Sequence, residues 1–195
     1  MARSTTINRK TKETDISVIF NVDGTGKSEI DTGIGFFDHM LEAFARHGFF
    51  DLKCSVSGDL QVDGHHTIED VGIVLGQAIK EAIGDKKGIS RYGSFILPMD
   101  DCLALCAIDL CGRPYFDFDC SFSVDKIGYF ETEMVREFFY AISYSAGMNL
   151  HIKMLSGENN HHKVESIFKA FAKALDMATG IDTRITDVLS TKGSL

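Results

Sequence analysis

The segment His65-His66-Thr67-Ile68-Glu69 returns 96 residues later as His161-His162-Lys163-Val164-Glu165. A chain of 195 residues that repeats itself at that distance reads as two copies of one supersecondary unit, and its fold must be one that two such units complete together. Apolar residues at helical spacing follow each copy: Ile68, Val71, Leu75, Ala78, Ile79 and Ala82 after the first, Val164, Ile167, Phe168, Phe171, Ala172 and Leu175 after the second. Both patterns predict amphipathic helices of about four turns.

A further helix is predicted ahead of each copy. The first covers 36–46, with Phe37, Met40, Leu41 and Phe44 as its apolar stripe; the second covers 133–144, with Met134, Val135, Phe138, Phe139 and Ile142. Gly48 and Gly147 stand where a left-handed residue would stop each helix. Short alternating segments at 52–56 and 150–154 lead from these helices to the histidine pairs, and strands are expected before the helices at 15–22 and 103–110, each followed by a glycine turn. Strands, helix, strand, helix in each half predicts an α+β fold. Its two pseudo-repeated halves, 1–90 and 91–195, would each be a small, mostly antiparallel sheet with two helices, the helices packed between the sheets in one compact domain. Gly84, Asp85, Gly88 and Gly93 mark the boundary, and no low-complexity linker separates the halves.

Composition narrows the partners. A formal net charge of −8 argues against nucleic acid, whose phosphates call for a basic surface, but leaves room for a small anion held by a few converging cations. No apolar run reaches the ~18 residues of a membrane span, and the basic segment 1–12 lacks the apolar core of a secretory signal. The five cysteines form no C-x-x-C pair, and a strand through Cys102, Ala104, Cys106 and Ile108 would bury its thiols as small hydrophobes. A reducing cytoplasm is the expected compartment.

The repeated motif carries ligand chemistry. Residues i and i+4 share a helix face, so His65 with Glu69, and His161 with Glu165, can hold one ion together. Adjacent helical residues diverge by ~100°, so His66 and His162 would serve a different ion from their neighbours. Each pair opens a helix, where the dipole disfavours imidazolium. The spacing is neither H-E-x-x-H nor H-x-x-E-H, and a zinc protease loses its support. Imidazole and carboxylate donors without thiolate suit Mn, Fe, Zn, Co or Ni, with Mn favoured for octahedral coordination. The repeat extends the set to His39 and Glu137, at corresponding places on the upstream helices, with Asp38 and Asp70 as carboxylates to orient ligand imidazoles. On the spacing alone, a dinuclear hydrolase and a non-catalytic, metal-organised assembly both stand open.

Further motifs point to another enzyme class, which substrate turnover distinguishes from these two: dehydration against hydrolysis or no reaction. Arg9-Lys10-Thr11-Lys12-Glu13-Thr14, Gly35-Phe36-Phe37-Asp38-His39-Met40-Leu41, the two histidine motifs, Arg91-Tyr92-Gly93, Gly112-Arg113-Pro114, Leu150-His151-Ile152 and Ser190-Thr191-Lys192-Gly193 occur in an order that resembles the imidazoleglycerol-phosphate dehydratases along the whole chain. That resemblance implies a monofunctional, cytoplasmic enzyme of histidine biosynthesis. It would remove water from imidazoleglycerol phosphate to give imidazole acetol phosphate. The resemblance also implies two divalent metal ions per active site, typically Mn, at subunit interfaces of a 24-chain homo-oligomer. The implied ligands are His39, His65, His66, Glu69, Glu137, His161, His162 and Glu165, and Glu13 is implied as the acid/base residue. Substrate contacts are implied at Glu13, His39, His47, His65, Glu69, Arg91, Arg113, His161, Lys169, Ser190 and Lys192, with Arg91, Arg113, Lys169, Ser190 and Lys192 for the phosphate. No nucleic acid or membrane partner is expected.

Overall fold

The computed structural model describes residues 3–195. Its first half runs β1 (Ser4–Lys10), β2 (Thr14–Asn21), β3 (Ser28–Asp31), α1 (Gly35–Gly48), β4 (Asp51–Gly58) and α2 (His65–Ile83). The second half runs β5 (Tyr92–Met99), β6 (Cys102–Asp109), β7 (Tyr115–Asp119), a short hairpin β8 (Lys126–Ile127) and β9 (Phe130–Glu131), then α3 (Met134–Ala146), β10 (Asn149–Ser156) and α4 (Asn160–Thr179). The sheets have orders β1-β2-β4-β3 and β5-β6-β10-β7, with the same connections. In each, the first three strands pair antiparallel and the short edge strand joins parallel, so the sheets are mostly antiparallel as expected.

The two halves superpose in register as well as in order. Adding 88 to every residue of the β1–β2 ladder gives the β5–β6 ladder, so that Lys10 opposite Asp15 becomes Pro98 opposite Leu103. Helices α1 and α3 end on left-handed residues, Gly147 (φ 67°) as expected but Phe49 (φ 58°) in place of the expected Gly48, which is the last residue of α1; the offset of 98 carries His39 onto Glu137. Between these regions the second half inserts the β8–β9 hairpin, where the first half has only residues 32–34.

Neither half can hide its helices alone. The alternation on β6 buries Cys102, Ala104, Cys106 and Ile108, and β2 buries Ile16, Val18 and Phe20 in the same way, each giving its sheet one apolar face. The helices cover those faces and then meet their counterparts from the other half: α2 packs on α3 and α1 on α4, so all four lie between the sheets. Phenylalanines fill the seam. Phe37 meets Phe138 edge-on at 5.2 Å, Phe138 stacks on Phe168 at 5.2 Å, and Phe44 stacks on Phe171 at 5.6 Å. Pairs in these geometries contribute ~0.5–1.5 kcal/mol beyond their area, and every ring here is essentially inaccessible. On the other diagonal, Gly72 and Gly76 let α2 approach α3 closely: a β-carbon at either would lie 2.8 Å from a backbone oxygen of α3.

Candidate active site

Cross-half packing decides which candidate ligands meet. α1 carries His39 near its start and α4 carries His161 and Glu165 in its first turns, and the α1–α4 contact brings them together. One ligand atom from each of His39, His161 and Glu165 lies within 4.8 Å of the others, and among the described residues no other group of three His, Cys, Asp or Glu is so close. Ligand atoms ~2.0–2.2 Å from a metal can stand up to about 4.4 Å apart across it, so a small side-chain adjustment would close this set. Two imidazoles and one carboxylate are donors suited to a divalent first-row ion. Glu165 is buried, which by itself disfavours its charge. The Lys169 ammonium bonded to it at 2.6 Å, with His39 and His161 nearby, outweighs that burial and holds its carboxyl below the usual range.

The pseudo-symmetric set is Glu137, His65 and Glu69, where α3 meets α2. It is open. His65 Nε2 lies 3.6 Å from Glu69, while Glu137 turns to Arg136 at 3.1 Å. A set with two carboxylates and one imidazole repels itself in the absence of a cation, whereas the first set has one carboxylate and a lysine to balance it.

His66 and His162 point to other surroundings, as the ~100° divergence requires. His66 Nδ1 is 3.0 Å from Asp59, and its Nε2 is 3.8 Å from Glu13. His162 Nδ1 is 2.7 Å from Asp101, and its Nε2 is 3.4 Å from Asp100. The bond to Asp59 raises the pKa of His66, with Glu13 adding to it. The expectation that Asp38 and Asp70 orient imidazoles is corrected here. Asp38 accepts from the Thr32 amide at 2.9 Å and its hydroxyl at 2.5 Å, fixing the start of α1. Asp70 is buried against Arg9 and the Thr14 hydroxyl, tying the β1–β2 turn to α2. Asp59, Asp100 and Asp101 escaped the sequence reading because they lie outside the helices. A carboxylate just beyond a strand end, facing a histidine motif, was the available signal.

The anion-binding candidates gather elsewhere. Arg91, Arg113, Ser190 and Lys192 line one open cavity of about 780 Å³ formed with the carboxyl-terminal segment. Arg91 grips Asp109 through Nε (2.7 Å) and Nη2 (3.0 Å), and its Nη1 donates to the Leu189 carbonyl at 2.7 Å, which secures that segment over the cavity. Lys169 is not among these residues; it lies at the other end of β5, beside Glu165 and Met99. His47, half-buried in the last turn of α1, has its pKa lowered by burial and by the nearby Lys169 charge. Arg91 bonds through its amide to Ala178 O at the far end of α4. At 1.5 Å per residue, the cavity is therefore roughly 25 Å along the helix from His161.

Both the sequence and the fold find relatives along the whole chain. The profile of the family described as imidazoleglycerol-phosphate dehydratase matches residues 32–175. The chain is similar to the imidazoleglycerol-phosphate dehydratases of Lachnoclostridium phytofermentans, 66% identical, and Acetivibrio thermocellus, 58% identical, over 195 residues and 100% of each chain in both cases. Among solved structures, that of the Staphylococcus aureus enzyme aligns with a TM-score of 0.81 at 41% identity, covering 91% of this chain and 100% of that one. The Pyrococcus furiosus structure aligns with a TM-score of 0.83 at 39% identity, covering 97% and 100%. With identity this high over full length and the same fold, the chain belongs to the imidazoleglycerol-phosphate dehydratase family, hydro-lyases of histidine biosynthesis.

Proposed function

We propose that the chain dehydrates imidazoleglycerol phosphate to imidazole acetol phosphate with the help of two divalent metal ions, most suitably Mn, at sites completed between chains of a homo-oligomer. The observation that carries the metal dependence is the closeness of His39, His161 and Glu165. These three would hold one ion and His65, Glu69 and Glu137 the other, with His66 and His162 as further donors from surfaces facing outward. When bound, the metal supplies Lewis acidity and a template for the imidazole ring.

The chain's own residues supply the rest. The hydroxyl leaves from the carbon beside the ring and the hydrogen from the middle carbon of the glycerol chain. No carbonyl neighbours that hydrogen, so a positioned base is needed, and the ring must take up the electrons. Glu13, exposed on the β1–β2 turn and 3.8 Å from His66 Nε2, is the group that removes the carbon-bound proton. Arg91, Arg113, Ser190 and Lys192 take the phosphate, so binding energy away from the reacting carbons fixes their position. The resulting enol becomes the ketone.

The distance between the two regions supports shared sites. Ring and phosphate of this substrate, joined by three carbons, span on the order of 10 Å at ordinary bond lengths, against roughly 25 Å between His161 and the cavity within one chain. One molecule would meet the ion held by His39, His161 and Glu165 of one chain and the phosphate anchor of another. The test is dehydration followed by NMR detection of the ketone, with protein stripped of metal and then given Mn. Mixing His161→Ala with Arg91→Ala, each inactive alone, and reassembling should then restore about a quarter of wild-type activity by random pairing of chains. Full turnover without metal would reject metal dependence, and absence of complementation would reject shared sites.

A further inference from the structure

The superposition of the halves places Glu13 and Asp101 at equivalent positions, 88 residues apart, each at the end of the turn between the first two strands. Their surroundings differ. Glu13 faces the Nε2 side of His66 without touching it, at 3.8 Å. Asp101 is bonded to His162 Nδ1 at 2.7 Å through one oxygen, while its other oxygen accepts the amides of Glu158 (2.7 Å) and Asn159 (3.0 Å). In the first half the Nδ1 bond is made instead by Asp59, which follows β4. A bulge late in β10 puts Gly157 in the place of Gly58, each against the first residue of the neighbouring strand, Cys102 or Thr14. Glu158 therefore takes the place of Asp59. Its side chain makes no hydrogen bond or ion pair among the described residues, and only its amide is used. The loop explains the exchange: five residues, 60–64, separate Asp59 from His65, but only Asn159 and Asn160 separate Glu158 from His161.

We propose that Asp59 and Asp101 are positioning residues for His66 and His162, and that Asp59, by taking this duty in the first half, releases the turn carboxylate Glu13 for proton transfer. An ionised carboxylate only accepts hydrogen bonds, so a neutral imidazole bonded through Nδ1 must carry its proton there and present an unprotonated Nε2. That fixes both the tautomer and the ring plane, and makes Nε2 a better donor to a metal. The two turn carboxylates thus descend from one position and do different work. The inference rests on the reading of His66 and His162 as metal donors and of Glu13 as the proton-transfer group.

The variants Asp59→Asn, Asp101→Asn and Glu13→Gln, all close in shape to the native residues, separate the roles. In metal-free protein labelled with ¹⁵N-histidine, solid-state NMR reads the tautomer of each ring. Asp59→Asn should shift His66, and Asp101→Asn should shift His162, away from the Nδ1–H form, while Glu13→Gln leaves both rings as they are. Mn titration should show a loss of ~10–100-fold in affinity at one class of site for each Asp variant and none for Glu13→Gln. Unchanged tautomers in both Asp variants would overturn the proposal, as would an equal loss of Mn affinity in Glu13→Gln and Asp101→Asn. If wild-type protein binds no Mn, the functional reading fails by that result, while the tautomer measurement still judges whether Asp59 and Asp101 orient the rings.

Discussion

Helix propensity says that replacing Gly72 in the middle of α2 with alanine should stabilise the protein; the packing of α2 against α3 says the opposite. Alanine is favoured over glycine inside a helix by ~0.8–1.0 kcal/mol. Against that, the added β-carbon would lie 2.8 Å from the Phe138 carbonyl oxygen, 2.9 Å from the Ala141 β-carbon and 3.3 Å from a Phe138 ring carbon. The first two belong to, or are fixed on, the backbone of α3 and cannot rotate aside, so relief requires the whole helix to move. Overpacking of this kind costs ~1–3 kcal/mol, and the immobility of these neighbours puts it toward the upper end. Gly72→Ala should therefore lose about 1–2 kcal/mol net, which for a chain of this size lowers Tm by ~2–8 °C. Thermal unfolding followed by circular dichroism checks this, in metal-free protein at one fixed concentration because bound metal or assembly would add apparent stability. A rise in Tm would show that α3 accommodates the methyl group and that the close crossing is not what glycine is there to permit.

Three further outcomes follow from the site. His65→Ala and His161→Ala should each abolish dehydration while leaving the far-ultraviolet circular dichroism close to wild type, since both side chains are half-exposed and outside the apolar stripes; near-normal turnover at saturating Mn in either would contradict their place among the ligands. Chelation should shrink the particle seen by light scattering, because free energy supplied by metals shared between chains is assembly energy; a constant mass after complete metal removal would rule that out. Glu13→Gln should lower single-turnover dehydration by ~10²–10⁴-fold with Mn stoichiometry and substrate affinity retained, and a loss below tenfold would remove Glu13 from the proton-transfer role.

Much of this architecture was legible in the sequence, for reasons that differ from element to element. The helices were plain because each buries one stripe: Ile68, Val71, Leu75 and Ile79 on α2, like Val164, Ile167, Phe168 and Phe171 on α4, are all inaccessible. The predicted ends fell within a few residues of the observed ones, since the caps at Phe49 and Gly147 are set by local backbone geometry. The outer strands were hidden. β1 places no residue fully in the core, and β3 and β7 are short edge strands, so their alternation is too weak to read without the sheet. The place of Glu13 in the repeat was hidden, because the repeat shows in residue identities chiefly at the histidine motifs. The ladders of β1–β2 and β5–β6 match in geometry while sharing almost no residues, and the β8–β9 insertion shifts the offset from 88 to 98 on its way to the helices. The carboxylates that contact His66 and His162 come from loops whose course only the folded chain defines.

The same duplication that made the fold legible also explains why a site of this kind cannot belong to one half. His39 stands on α1, and the residues it meets, His161 and Glu165, stand on α4; the two helices approach because each covers its own sheet and leaves an apolar flank for the other half. The phenylalanines that close the interface, Phe44 on Phe171 and Phe37 on Phe138, are therefore also what brings the ligand trio together. Loosening that seam would cost the trio its geometry before it cost the chain its secondary structure, since strands and helices draw on contacts within each half. Divergence between the halves has been tolerated where a carboxylate can be supplied from either of two backbone positions, as with Asp59 and Asp101, and where a histidine faces a glutamate, as with His39 and Glu137. It has not touched His65 and Glu69 or His161 and Glu165, where a single helical turn presents both side chains on one face.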